Sequence, residues 1–160
     1  MKYTSRKLGI VVNVPEGWNV VDRQDIVTQY LNMPPEQAAL VAFIMLNIQN
    51  QSNPLYICAT SDPGMYRTDT EYVSALTNNL DSLRQMGAEI ITHETHQLPM
   101  LGKKNARVDR LVFKLNGIVT AQHFVFINNQ LICFSCPINQ SNDPLEHILY
   151  QIVTNIQVAS

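Results

Sequence analysis

Residues 106–137 read ARVDRLVFKL-NG-IVTAQHFVFI-NN-QLICFSCP, and their reading decides the fold. Three runs rich in β-branched and aromatic residues, 106–115, 118–127 and 130–137, are separated by Asn116-Gly117 and Asn128-Asn129. Two-residue loops of this kind suit type I′ turns, where both central residues take positive φ, a conformation that asparagine and glycine tolerate. The stretch predicts an antiparallel meander. Its strands carry apolar residues at both parities, as in Phe124-Val125-Phe126, which implies a sheet covered on both faces.

Outward from this core, 88–97 predicts another strand. Its second half turns polar (Thr92, His93, Glu94, Thr95, His96), as an edge or solvent-facing end does. Ahead of it, Thr68-Asp69-Thr70-Glu71 has capping-box spacing. Tyr72, Leu76, Leu80, Leu83 and Met86 then recur three or four apart as one helical stripe, and Gly87 is placed to stop the helix in the left-handed conformation. On the other side, Ser141-Asn142-Asp143-Pro144 opens a closing helix, with proline in the first turn where its missing N–H costs nothing. Leu145, Ile148, Leu149, Ile152, Val153 and Ile156 give that helix a wide apolar face. Toward the N-terminus, 9–14 predicts a short strand ending at Pro15-Glu16-Gly17-Trp18, a tight turn that folds Trp18 back over the core. Asn19-Val20-Val21 adds a second short strand, and Met33-Pro34-Pro35-Glu36 breaks the chain. Residues 38–48 are strongly apolar, and periodicity leaves strand and helix both open there. Residues 55–60 predict a strand.

The 160 residues have one texture, which predicts a single domain over 1–160. Hydrophobic residues make up 46% and charged residues 15%, a globular balance that excludes a disordered chain. Amides fill the place of charge, with 15 Asn and 12 Gln. The 11 Lys+Arg against 13 Asp+Glu give a net charge of -2, so the basic surplus that nucleic-acid binding uses is missing. The basic start, Met1 to Lys7, precedes an apolar stretch too short for a signal segment, and no run approaches the ~18 apolar residues of a spanning helix. The expectation is a cytoplasmic protein without stable membrane insertion. Cys58, Cys133 and Cys136 are an odd set, too few for a disulfide scaffold.

The order of elements carries a resemblance. A strand ending in Pro15-Glu16-Gly17-Trp18 opens the chain, a strand–loop–helix unit spans 55–83, and a long meander and terminal helix follow. This resembles the Mog1/PsbP-like superfamily, including the bacterial DUF1795 and DcrB-like proteins, over nearly the whole chain. The resemblance implies an α+β fold: an antiparallel sheet of about six or seven strands with helices on both faces, an α/β/α sandwich. Members are mostly non-catalytic. They act as adaptors, photosystem II assembly factors, a Ran-binding nuclear transport factor, or Eag-type chaperones of type VI secretion effectors. The Eag-type branch is similar in length, and its members are usually dimers that shelter apolar effector segments on the sheet. No binding residues are carried over.

Four constellations carry candidate chemistry. Cys133-Phe134-Ser135-Cys136 has the spacing of a thiol redox pair, which needs one thiolate stabilised at a helix start. On a strand, residues three apart face opposite ways, so the same cysteines read as small apolar strand residues. His93 and His96 with the two cysteines could supply four zinc ligands, but on regular strands both pairs diverge. Lys103, Lys104, Arg107 and Arg110 could dock an anionic partner, or form a solvated face. Ser135, Ser141, Asp143 and His147 hold the residue types of a nucleophilic triad without a nucleophile elbow.

The expectation from these readings is a non-enzymatic protein-binding module without metal or cofactor, an adaptor or chaperone that binds another protein; its Eag-like version holds an apolar segment of a secretion-system effector and predicts a homodimer. The alternative is a thiol redox protein using Cys133 and Cys136. Methionines 33, 45, 65, 86 and 100 suit adaptable surfaces, although most belong in a core. The partner site is expected at Trp18, Met33, Phe43, Met45 and Tyr66, with residues 29–48 lining or covering an apolar groove.

Overall fold

The computed structural model describes residues 1–32, 34–47, 55–61, 66–138 and 144–159, with backbone alone at 55, 103 and 104. The chain begins with β1 (Lys2–Ser5), β2 (Ile10–Asn13), β3 (Trp18–Val21), α1 (Gln24–Leu31) and α2 (Pro35–Ala38). It continues through β4 (Val41–Asn47), β5 (Leu55–Ser61), α3 (Asp69–Gln85), β6 (Glu89–Met100) and β7 (Lys103–Leu115). It closes with β8 (Ile118–Ile127), β9 (Gln130–Ile138), α4 (Pro144–Thr154) and β10 (Gln157–Val158). A seven-stranded sheet runs β3-β4-β5-β9-β8-β7-β6, and a three-stranded sheet runs β1-β2-β10. All pairs are antiparallel.

The meander forms as its turns dictate. Asn116 and Gly117 take φ of 52° and 80°, and Asn128 and Asn129 take 54° and 61°, so both loops close two-residue hairpins. A third such turn was not legible. Leu101 (φ 57°) and Gly102 (φ 72°) join β6 to β7, and leucine is uncommon at positive φ. Its side chain packs partly buried against the main core, and that contact holds the turn. The edge strand β6 therefore runs to Met100, beyond the predicted 97. Pro99 falls where the β6–β7 register shifts, in the outermost strand, where a missing N–H breaks no ladder.

Alternation sorts the side chains onto two faces. From β8, Ala121, Val125 and Ile127 enter one core, which also takes Ile132, Phe134, Cys136 and Ile138 from β9. α4 and the small sheet cover this face, α4 through Leu145, Leu149, Ile152 and Val153 and the small sheet through Ile10 and Val12. Burying those four α4 side chains contributes about 6–12 kcal/mol as an upper bound. On the opposite face α3 packs Tyr72 and Leu76 over Leu111, Phe113, Phe124, Leu131 and Cys133. α1 packs Val27 over Val41, Ile44 and Cys58.

α3 is capped as its sequence predicts. The Thr68 hydroxyl accepts from the Glu71 N–H at 3.2 Å. The Glu71 carboxylate takes the Arg67 N–H, one residue earlier than a regular capping box. At its C-terminus Gly87 (φ 93°) closes a Schellman motif, with Ala88 N–H donating to the Leu83 carbonyl and Gly87 N–H to that of Arg84.

Of the open stretch 38–48, residues 38–47 resolve into the end of α2, a short connection and β4, and residue 48 lies outside the described residues. A bulge between Val41 and Phe43 sends Val41 to the α1 side while Ala42 and Phe43 both enter the main core. Met33, Met65, Ser141 and Asp143 lie outside the described residues.

Candidate functional site: a neutral trough between two helical covers

α3 covers β6–β8 and the near side of β9, and α1 covers β3–β5. Between them the seam of β5 and β9 is left uncovered, and a cavity of about 340 Å³ lies there. Register places Cys58 opposite Ser135 and Thr60 opposite Cys133, so four small side chains form the floor. Gln122 and Phe124 of β8 extend it, Asn79 of α3 forms one wall, and Gln37 of α2 with Leu40 forms the other. Among the described residues, no charged side chain lines this trough. The Thr60 hydroxyl donates to the Cys133 carbonyl at 3.4 Å. Burial pushes the Cys58 thiol up to about 12 against a hydrogen bond from Ser135, and burial raises Cys133 as well.

These thiols are the reverse of a redox pair. A reactive cysteine needs a lowered pKa and access. Cys133 points into the α3-side core and Cys136 into the α4-side core, so the two sulfurs lie on opposite faces of β9. The alternative redox reading fails on this geometry, and all three cysteines are buried and outside any disulfide.

Strong charges are consumed inside the fold. Asp109, fully buried on the α3 side, accepts Arg107 Nε at 2.8 Å and Nη2 at 3.0 Å, Thr95 at 2.8 Å and Tyr72 at 3.0 Å. Burial raises its pKa, but the Arg107, Thr95 and Tyr72 hydrogen bonds outweigh it and the net shift is down. On the other face Glu146 of α4 accepts Arg110 Nε at 2.8 Å and Nη2 at 2.7 Å, and lies 3.0 Å from His123 Nε2. Burial again raises and the Arg110 and His123 hydrogen bonds lower, leaving Glu146 at about 2.

The predicted basic cluster is thereby split: Arg107 and Arg110 face opposite ways, each held by a carboxylate. His93 sits 3.5 Å from Asp109 on the α3 side, whereas His96 pairs with Glu94, which approaches Arg110 on the α4 side. The two histidines and two cysteines do not converge. Ser135 lies in the trough, and His147, on α4 beyond the sheet, contacts Gln151. They do not meet either.

Of the residues expected to bind a partner, Trp18, Phe43 and Met45 are buried in the main core. Phe43 packs edge-on to Tyr3 and Phe134. Buried side chains offer no contact surface, because the sheet face that carries them is sealed by α4 and the small sheet. Tyr66 is half-buried against the α3 cluster and borders a shallow surface hollow with Thr70 and Glu71. Met33 is outside the described residues. Of the trough residues, the sequence singles out neither Asn79 nor Gln122, and it offers Ser135 only as a candidate nucleophile. The signal of the two amides was an uncharged polar residue at a core-facing position: Gln122 shares its parity with Phe124 and Phe126, and Asn79 falls three after Leu76.

The arrangement defines a class by fold. No protein-family model and no curated protein matches the chain. Among solved structures it is similar to the solution structure of cyanobacterial PsbP (CyanoP) from Synechocystis sp. PCC 6803, with 16% identity and a TM-score of 0.57. That match covers 99% of this chain and 91% of the other. A crystal structure from Bacteroides thetaiotaomicron VPI-5482 matches at 13% identity and a TM-score of 0.47, over 99% of this chain and 48% of that one. The fold is PsbP-like. No helix among the described residues is long and apolar enough to cross a membrane.

Proposed function

We propose that the chain is a non-enzymatic protein-binding module, an adaptor or chaperone, that holds an uncharged and largely apolar segment of another protein in the trough between α2 and α3. The observation that carries this reading is the neutral, partly apolar lining of the trough, beside ionised groups that are spent on internal pairs. Apolar shape with a few polar groups is the usual make-up of a binding cleft. The finer version places it in the Eag-type branch of the Mog1/PsbP-like proteins, as a cytoplasmic homodimer sheltering an apolar segment of a secretion-system effector. Its support is the resemblance in element order and three cysteines that form no disulfide, which suits a reducing compartment.

Selection from a displayed random-peptide library tests the module directly. Uncharged sequences should be enriched, and Ser135→Trp, which fills the trough floor, should abolish their binding while the melting temperature stays within a few degrees. Enrichment of charged peptides, or binding indifferent to Ser135→Trp, would remove the proposal. Sedimentation tests the finer version, which requires a dimer.

A further inference from the structure

Two side chains in the trough are unmatched. Asn79 Nδ2, from α3, and Gln122 Oε1, from β8, belong to residues that line the trough, are occluded from solvent, and have no hydrogen-bond partner among the described residues. Buried donors and acceptors normally find partners, because one left unmade loses its full hydration without return. The neighbouring polar groups do not serve them: the Thr60 hydroxyl goes to the Cys133 carbonyl, and Ser135 to the Cys58 thiol. A charged ligand would shed its hydration for a site with no countercharge. A purely apolar ligand would leave both carboxamides unmade.

We propose that the trough recognises an uncharged ligand by an amide group, whose C=O accepts from Asn79 Nδ2 and whose N–H donates to Gln122 Oε1. Flanking carbon lies against Val41, Phe124 and Leu131. This rests on reading the trough as the binding site and names what that site recognises. An amide carries both a donor and an acceptor, so it serves the two carboxamides as they stand and equally when both are turned together. A cavity of about 340 Å³ lies at the small end of ligand sites, enough for one short segment or a small molecule. The amide can belong to a partner's main chain or to a free small amide.

The test is an NMR titration of the full-length labelled protein with four probes. These are N,3-dimethylbutanamide, its ester counterpart methyl 3-methylbutanoate, the 3-methylbutanoate ion, and the capped peptide acetyl-Ala-Leu-Ala-amide. The amide should shift the Asn79 and Gln122 side-chain NH2 signals saturably. The ester, lacking the donor, should bind roughly tenfold more weakly, and the anion more weakly still. Peptide binding tighter than the small amide identifies a main-chain source; the reverse identifies a free small molecule. Gln122→Leu should erase the amide-over-ester preference. Asn79→Asp, near-isosteric and acceptor-only, should weaken the amide and keep the fold. Equal binding of amide and ester, or no saturable shift at these two side chains, would overturn the inference. Ser135→Trp reports on the trough as a site, independently of the amide-to-ester ratio, so the two failures are distinguishable.

Discussion

The two faces of the seven-stranded sheet are covered differently. Over one face α4 and the small sheet join a single continuous core, which includes residues from β2, β4, β5, β7, β8 and β9. Over the other, α3 and α1 bury separate clusters and leave the β5–β9 seam between them. The sealed face holds large side chains such as Phe43, Phe134 and Leu149, where the seam has Cys58, Thr60, Cys133 and Ser135. Bulk fills the first and small polar groups keep the second open, so stability rests on one side of the sheet and the proposed recognition on the other.

The largest effects should come from the sealed face. Phe134→Ala removes a fully buried ring that packs against Phe43, and should cost about 3–5 kcal/mol in denaturant unfolding. A loss below about 1 kcal/mol would show that this face is less tightly packed than the contacts imply.

Acid should weaken the same side next. Glu146 is held at about 2 in the fold against an ordinary 4.5, so between those values the folded chain binds fewer protons than the unfolded one. Its contribution is complete above about pH 5, falls as pH drops through that window, and is gone near pH 2. The loss should reach about 3 kcal/mol. Glu146→Gln should flatten that part of the stability–pH curve; an unchanged curve would contradict the pairing of Glu146 with Arg110 and His123.

The smallest effects should fall on the trough. Asn79→Leu and Gln122→Leu each replace a group with no internal partner and should change unfolding by no more than about 1 kcal/mol. A loss of several kcal/mol from either would make the trough part of the core and erase the contrast between the faces.

Much of this fold was legible because its signals were local. Asn116-Gly117, Asn128-Asn129, the Thr68 cap and Gly87 each dictate a turn or a helix end through their own backbone preferences. What escaped depended on distant partners. β1 and β10 are short strands that exist only by pairing with β2, and the polar, basic start of the chain carries no strand signal of its own. α1 has no side-chain cap, and it is held by Val27 against the sheet. The site escaped for the same reason. Trp18, Phe43 and Met45 were expected on an open apolar groove, yet large apolar side chains mark the core when that face is sealed. The trough comes from a gap between two helices, which no single stretch of sequence records. Gln122 and Asn79, amides at apolar positions, were the trace it left.

The most direct measurement is calorimetric titration of a selected uncharged peptide into the wild-type chain and into Ser135→Trp, with melting temperatures recorded alongside. The account predicts binding to the wild type, and a loss of at least about thirtyfold in the variant at nearly unchanged stability, roughly 2 kcal/mol of lost affinity. Equal affinity for both chains would contradict it, because the partner would then be held somewhere other than the seam.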